Sequence, residues 1–420
     1  QGNLTSGGFL DGAHWAYTDI ATLLVENKIR YTVSDKRNRG KPQKFAFQGK
    51  LRPEQEKAAI ALLKNDLGVL SASTAFGKTV VAIYLLAKRA TNTLILVHRV
   101  QLLNQWKSRL ENFLGIPPSE IGIIGSGKRK PTGIIDVASI QSLVKKGVVD
   151  DIVGNYGMVI ADECHHLSAF SFESVIRQCK CQYVLGLSAT LTRKDGHHPI
   201  IFMQCGPVRY RVNDKQQALE RPFDHRVIIR PTELTLPPEQ QEKTTIHTIY
   251  DLLIHDDARN RMIVEDVRAA LLHGRNPVVI TERKEHLFWL ENAFADVKPL
   301  FVMRGGMRRK ELTSILQAFS AVPEGTPRLL LATGKFLGEG FDDPRLDTLF
   351  LTMPISWKGT LAQYAGRLHR LYDRKTEVII YDYADLKITM TMRMFERRVA
   401  GYRAIGYRIT DDNAQYLFPE

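Results

Sequence analysis

Two tandem doubly wound parallel sheets, an α/β architecture, are what this sequence predicts, and three observations carry the prediction. The chain has 420 residues, too many for one ordinary core and suited to two domains of about 150–200 residues each. Two separate passages alternate short β-branched runs with helical patterns, the rhythm of parallel sheets covered on both faces. The first passage also carries a strand, a glycine turn and a helix in succession around Gly77-Lys78-Thr79.

In the first passage the predicted strands are Gly68–Ala72, Thr93–Val97, Gly133–Val137, Met158–Ala161 and Tyr183–Leu187. In the second they are Pro277–Ile280, Leu300–Val302, Arg328–Leu331, Thr348–Leu351 and Glu377–Tyr381. All are continuous apolar runs rather than strict alternations, as expected of strands buried on both faces. Between the passages, Arg221 to Lys243 carries Pro222, Pro231, Pro237 and Pro238 and reads as a joint. The expected domains are therefore residues 46–235 and 236–420, preceded by an extension over residues 1–45. That extension reads as a helix-like segment (Trp15, Ile20, Leu23, Leu24), a strand-like one (Ile29 to Val33) and a basic turn (Lys36 to Lys41). Some forty residues bury little core alone, so it is either docked on its neighbour or the remnant of an upstream domain. The first residue is Gln1, not methionine, which reads as a processed or partial product.

Composition excludes several classes. Hydrophobic residues make up 44% and charged residues 25%, as in globular rather than disordered chains. No apolar run approaches the roughly 18–20 residues that span a bilayer, and no N-terminal leader pattern is present. Four cysteines in so long a chain argue against a disulfide framework and for a reducing, cytoplasmic setting. A formal net charge of +13 is compatible with a polyanionic partner and equally with an ordinary basic protein.

Three constellations carry chemistry. Ala72-Ser73-Thr74-Ala75-Phe76-Gly77-Lys78-Thr79 follows a predicted strand and opens the helix Thr79–Arg89, the context of a P-loop. Successive backbone N–H groups of Thr74, Ala75 and Phe76 would wrap phosphates, Gly77 permits close approach, Lys78 supplies charge and Thr79 a hydroxyl for Mg²⁺. Met158–Ala161 ends in Asp162-Glu163; acids at the tip of a buried strand are costly unless a metal or partner meets them. Asp162 would hold Mg²⁺, and Glu163 would orient and deprotonate a water. The plainer alternative, a helix N-cap, accounts for one acid and not for two. Gln363-Tyr-Ala-Gly366-Arg367-Leu-His-Arg370 places two arginines three apart, on one helical face. Solvated surface is the ordinary fate of such a pair, but beside a P-loop they read, with Gln363, as catalytic fingers for ATP.

The set resembles a superfamily 2 helicase or translocase core, its motifs in order over roughly residues 50 to 410. The resemblance implies two RecA-like lobes with ATP in the cleft between them and nucleic acid lying across both. Leu51-Arg52-Pro53-Glu54-Gln55 is similar to the family's adenine-recognising segment, which implies that Arg52 and Gln55 serve the nucleotide. Asp162-Glu163-Cys164-His165 resembles the acidic box, and Ser188-Ala189-Thr190 the segment coupling hydrolysis to strand contact through Ser188 and Thr190. Arg193-Lys194-Asp195-Gly196 is similar to the transcription-repair and restriction-type branch, although Leu191 stands where that branch has proline. Arg99, with Leu102, Gln105 and Trp106, then Ser139 and Gln141, occupy the places of the first lobe's backbone-contacting motifs. Thr281, Thr333 and Gly334 do so in the second lobe, and Gly340 and Asp342 stand where the family approaches the ribose. The resemblance thus implies an ATP- and Mg²⁺-dependent motor on nucleic acid, with DNA favoured over RNA. Alternatives are an RNA remodeller, the motor subunit of a restriction or defence system with its nuclease elsewhere, and a non-catalytic nucleic-acid binder. The last is opposed by the intact Lys78, Thr79, Asp162, Glu163, Arg367 and Arg370.

Other patterns are weaker. Cys179, Cys181 and Cys205 with His165, His166, His197 and His198 match no common zinc spacing and read as structural thiols. Lys128–Lys130 and Arg304–Lys310 are basic turns, read as solvated charge or as phosphate contacts. The last helix, with Arg393, Arg397, Arg398, Tyr402 and Arg403, reads as packed on one side and basic on the other.

Overall fold

A computed structural model describes residues 22–410 except 33–34, 74–75, 165–168, 190–203, 214, 216–217, 219–220, 242–243, 335–342 and 356–357. It divides into two compact units, residues 1–212 and 213–420.

In the first unit the strands are β1 (Leu67–Ser71), β2 (Thr93–Val97), β3 (Ile121–Gly125), β4 (Lys128–Lys130) and β5 (Ile135–Ser139). After a small hairpin, β6 (Val144–Lys145) with β7 (Val148–Val149), come β8 (Met158–Ala161), β9 (Tyr183–Ser188) and β10 (Val208–Arg211). They form one sheet in the order β10-β1-β9-β8-β2-β5-β3-β4, parallel throughout except for the last pair. Helices α1 (Pro53–Leu63), α2 (Lys78–Arg89), α3 (Val100–Leu114), α4 (Ile140–Leu143) and α5 (Ala169–Cys179) connect them. Successive strand residues point to opposite faces. Leu70, Ile95, Val137 and Ile160 accordingly enter one core cluster, and Val69, Leu94, Ala138 and Val159 the other. A strand needed on both sides cannot alternate with polar residues, hence the apolar runs.

The second unit repeats the plan. Its strands β11 (Asp224–Pro231), β12 (Pro277–Thr281), β13 (Leu300–Met303), β14 (Leu329–Thr333), β15 (Thr348–Leu351), β16 (Glu377–Ala384) and β17 (Arg408–Thr410) are ordered β13-β14-β12-β15-β16-β11-β17, all parallel. Its helices are α6 (Pro238–Gln241), α7 (Ile246–Ile254), α8 (Asp257–Leu272), α9 (Lys284–Ala293), α10 (Arg309–Ala321), α11 (Lys358–Leu368) and α12 (Thr389–Ala404). Among the described residues no helix is long and apolar enough to cross a membrane.

Several expectations need correction. The proline-bearing joint is not a linker: β11 lies inside it, pairing with β16 over eight residues from Asp224 to Pro231, so the division falls after Val212 rather than at 235. Proline at the last position of that strand removes a donor only where the ladder ends. Residues 29–32 form no strand, and Val33 lies outside the described residues. The segment from Asn38 to Phe47 is docked on the first unit. Asn38 bridges to Cys181, Lys41 N–H donates to Asn92 Oδ1 at 2.8 Å, and Phe47 lies between Tyr84 and Phe113. Gly40 sits at φ 72°, where a Cβ would come within 2.3–2.5 Å of Asn92, Thr91 and Gly157. Lys128–Lys130 is edge strand β4 rather than a turn, and charge on an outer strand discourages pairing with another chain.

On the last helix Arg393, Arg397 and Arg403 are exposed as expected, but Arg398 is not part of the basic face. Arg398 points inward, donating from Nε and Nη2 to Asp382 at 2.8 Å each, and Tyr402 donates to the same carboxylate at 2.8 Å. Both partners are essentially solvent-free. Arg398→Ala, by leaving a buried carboxylate with its ion pair broken, should destabilise the second unit by about 3–5 kcal/mol. Urea denaturation followed by circular dichroism checks this; a change within experimental error would contradict it.

Candidate functional site

Register puts the chemistry in one place. Ala161 pairs across to Gly186 and Leu96, and Ser71 to Ser188, so β1, β9, β8 and β2 end together. Ala72, Ser188 and Asp162 thus converge at the carboxyl edge of the first sheet, where open α/β sheets present their ligand sites. The edge is stitched by backbone: Ala72 N–H donates to Ser188 O and Asp162 N–H to Leu96 O, each at 2.9 Å.

Gly77 is the N-cap of α2, at φ 85°. A Cβ there would meet Gln55 Nε2 at 2.6 Å, so glycine is required both by its backbone conformation and by the packing of Gln55. Gln55 is buried, donates to Phe76 O at 2.8 Å and accepts from Arg52 N–H at 2.9 Å; the Arg52 guanidinium donates to the same Phe76 carbonyl. Both residues predicted to serve the nucleotide therefore brace the phosphate-loop backbone. Thr74 and Ala75 lie outside the described residues. Thr79, half-buried, stands in the first turn of α2.

Lys78 is buried. Its Nζ donates to Ala72 O at 2.9 Å and lies 3.1 Å from Glu163 Oε1. Glu163 adopts φ 46°, a left-handed conformation that costs a non-glycine residue about 1–2 kcal/mol. The turn sends its carboxylate to Lys78 on one side and to the Ala189 N–H, 3.3 Å from Oε2, on the other. Asp162 is buried, and its Oδ2 accepts from the Trp106 indole at 2.8 Å. Burial, then the neighbouring Glu163 charge, pushes the Asp162 carboxyl above its ordinary range, against the opposing pull of Trp106 and Lys78. Sequence reasoning placed Trp106 at the strand-binding face. The structure places it in the core, and the apolar spacing Leu103, Trp106, Leu110, Leu114 along α3 is the signal for that.

The predicted strand contacts separate into two groups. Arg99, half-buried at the N-cap of α3, and Gln141, exposed and donating to His98 O at 3.2 Å, lie beside each other at the ends of β2 and β5. Ser139 is buried, its hydroxyl 2.6 Å from that of Ser142. Thr281 is wholly buried, its hydroxyl engaged by Arg283 N–H at 3.3 Å and His286 Nδ1 at 3.1 Å. Both hydroxyls therefore shape turns at the sheet edge instead of facing a strand. Thr333 is half-buried, the register partner of Thr281 on β14. Gly334 is needed for a different reason: a Cβ would lie 2.1 Å from both Glu282 Oε1 and the Tyr364 hydroxyl, which are themselves bonded at 2.9 Å. Ser188 is fully buried at the end of β9. Thr190, Gly340 and Asp342 lie outside the described residues. Asp343, their neighbour, is an internal anchor that pairs with Arg328 at 2.6 Å and Arg345 at 3.4 Å.

In the second unit Gln363 and Arg367 lie on α11, half-buried and buried respectively. That helix ends at Leu368, so Arg370 stands in the following turn and not on a shared helical face. Lys375 Nζ caps the end, donating to Leu368 O at 2.8 Å and Arg370 O at 3.0 Å. The four cysteines are buried and free, and no group of three His, Cys, Asp or Glu among the described residues is arranged to hold a metal. His165, His166, His197 and His198 lie outside the described residues.

Comparison with known proteins agrees with this geometry. Residues 48–193 match the family described as "Type III restriction enzyme, res subunit". The chain is 26% identical over 365 residues to a protein of Acanthamoeba polyphaga mimivirus named as an ATP-dependent RNA helicase, covering 82% of this chain and 66% of that one. It is 25% identical over 388 residues to the DNA 3'-5' translocase XPB2 of Sulfurisphaera tokodaii, covering 83% and 84%. The fold matches that of the ATP-dependent Type ISP restriction-modification enzyme LlaBIII bound to DNA, with a TM-score of 0.61 at 16% identity, over 87% of this chain and 32% of that one. The two parallel sheets are RecA-like, and the chain is an ATP-dependent helicase or translocase whose core resembles those of superfamily 2, related to the restriction-enzyme and XPB branches.

Proposed function

We propose that this core acts on DNA and uses Mg-ATP to move along it. The observation that carries the nucleotide chemistry is the buried Lys78 ammonium, held by Glu163 at the N-terminus of α2. A twelve-residue helix directs its positive end there, and the ammonium and Gly77 complete a cradle for phosphate. The metal's donors fit as well. Thr79 and Asp162 offer hard oxygen donors and would hold Mg²⁺ there. Bound there, Mg²⁺ supplies neutralisation of charge on the transferring phosphoryl group.

The residues divide the work. Lys78 exchanges Glu163 for phosphate oxygens, and Glu163, so released, orients the attacking water and accepts its proton at a carboxylate oxygen. The Ala189 N–H fixes the other oxygen, so the end of β9 bears on the general base. Arg367 and Arg370 stabilise charge that develops on the γ-phosphate. Arg99, Gln141 and Thr333 contact the strand's phosphates without reading bases. DNA is favoured by the restriction-enzyme family match and by the relative named as a DNA translocase. RNA is the second reading, favoured by the mimivirus relative's name. A nuclease partner and a cytoplasmic setting belong to the same proposal.

Lys78→Ala should weaken ATP binding and nearly abolish hydrolysis, whereas Glu163→Gln should bind ATP and fail to turn it over, because an amide cannot take the proton. Filter binding with steady-state phosphate release checks the pair; wild-type turnover in Glu163→Gln would refute the base. Arg367→Ala and Arg370→Ala should each reduce turnover by about 10³-fold while ATP binding persists, the range for arginine fingers. Full turnover in both variants would remove the second unit from the chemistry.

A further inference from the structure

The proposed strand contacts and phosphate chemistry leave the buried Trp106 indole unused. The indole N–H of Trp106 is a donor that cannot accept, and it lies in the core beneath the sheet edge, 2.8 Å from Asp162 Oδ2. We propose that Trp106 is a positioning residue that sets the orientation of the Asp162 carboxylate for Mg²⁺. This role rests on Thr79 and Asp162 being the metal-binding pair.

Three features support it. The backbone of Asp162 is already fixed by its N–H bond to Leu96 O, so the side-chain torsions are what remain to be set. A carboxylate rotated away from the indole would leave a buried N–H without its acceptor, and engaging Oδ2 presents Oδ1 as the oxygen not held by the indole. The indole itself does not move easily, since Leu103, Leu110 and Leu114 share the buried face of α3 with it. A phenylalanine at 106 would satisfy the apolar spacing as well, so burial alone does not explain an indole here. Partners of metal ligands in such outer positions commonly govern metal affinity by 10–100-fold.

The test is binding of a fluorescent ADP analogue to the whole chain, titrated with Mg²⁺. It compares wild type, Trp106→Phe and a chain carrying β-(3-benzothienyl)alanine at 106, which keeps the bicyclic shape and lacks the N–H. Without metal all three should bind alike, because Lys78 and Gly77 are untouched. With metal, both altered chains should need about 10-fold or more Mg²⁺ for the half-maximal effect. Circular dichroism and thermal midpoint report folding, and if Trp106→Phe does not fold the isosteric replacement decides alone. A wild-type Mg²⁺ effect retained at the same concentration in the folded isostere overturns this proposal and leaves the site reading intact. A wild type without any Mg²⁺ effect overturns both.

Discussion

A buried ammonium requires a carboxylate beside it, and the pair of buried Lys78 with half-buried Glu163 is the constraint around which the first unit's site is built. Removing either charge would leave its partner alone in a poorly solvated place, at a cost of several kcal/mol. The pair also explains the backbone. Glu163 takes a left-handed turn that β8 would not otherwise make, and Ala189 at the end of β9 is drawn to its second oxygen. Three parallel strands thus meet at one ion pair. In the proposed function a polyphosphate competes with Glu163 for the Lys78 ammonium. On that reading, nucleotide binding and freeing of the Glu163 carboxylate are linked.

The same economy recurs in the second unit, where internal arginines are structural rather than solvated. Arg259 joins Asp385 at 3.0 Å and the Thr352 carbonyl at 2.7 Å, while Arg398 joins Asp382. Asp382 lies near the end of β16 and Asp385 just after it, so α8 and α12 are tied to one strand end. Against that background, Arg367 is a buried arginine on a neighbouring helix to which the proposed function gives a different task. Gly334 packs against Glu282 and the Tyr364 hydroxyl, so the end of β14 touches α11, the helix that carries Gln363 and Arg367. A physical route for coupling within this unit is therefore short.

Most of the sheet framework was legible because strands buried on both faces have no choice but apolar runs. Thr93–Val97, Met158–Ala161 and Thr348–Leu351 match their predicted limits residue for residue. The strand Asp224–Pro231 was hidden because its burial alternates and prolines surround it, so local composition pointed to a joint. Asp162 and Glu163 were legible as a costly pair at a strand tip. The inward turn of the Ser139 and Thr281 hydroxyls was not, since a small hydroxyl at a sheet edge serves a turn or a ligand equally well. Trp106 was misplaced by reading a motif position instead of the spacing along α3. Arg370 was misplaced by continuing a helix past Leu368, where a lysine cap ends it.

The central claim is that ATP turnover in this chain answers to a nucleic acid strand. Steady-state ATP hydrolysis by the whole chain, with single-stranded DNA, duplex DNA and RNA of equal length at saturation, tests it most directly. The account predicts a low basal rate, a marked increase with DNA and a smaller one with RNA. A basal rate unchanged by any of the three would contradict it.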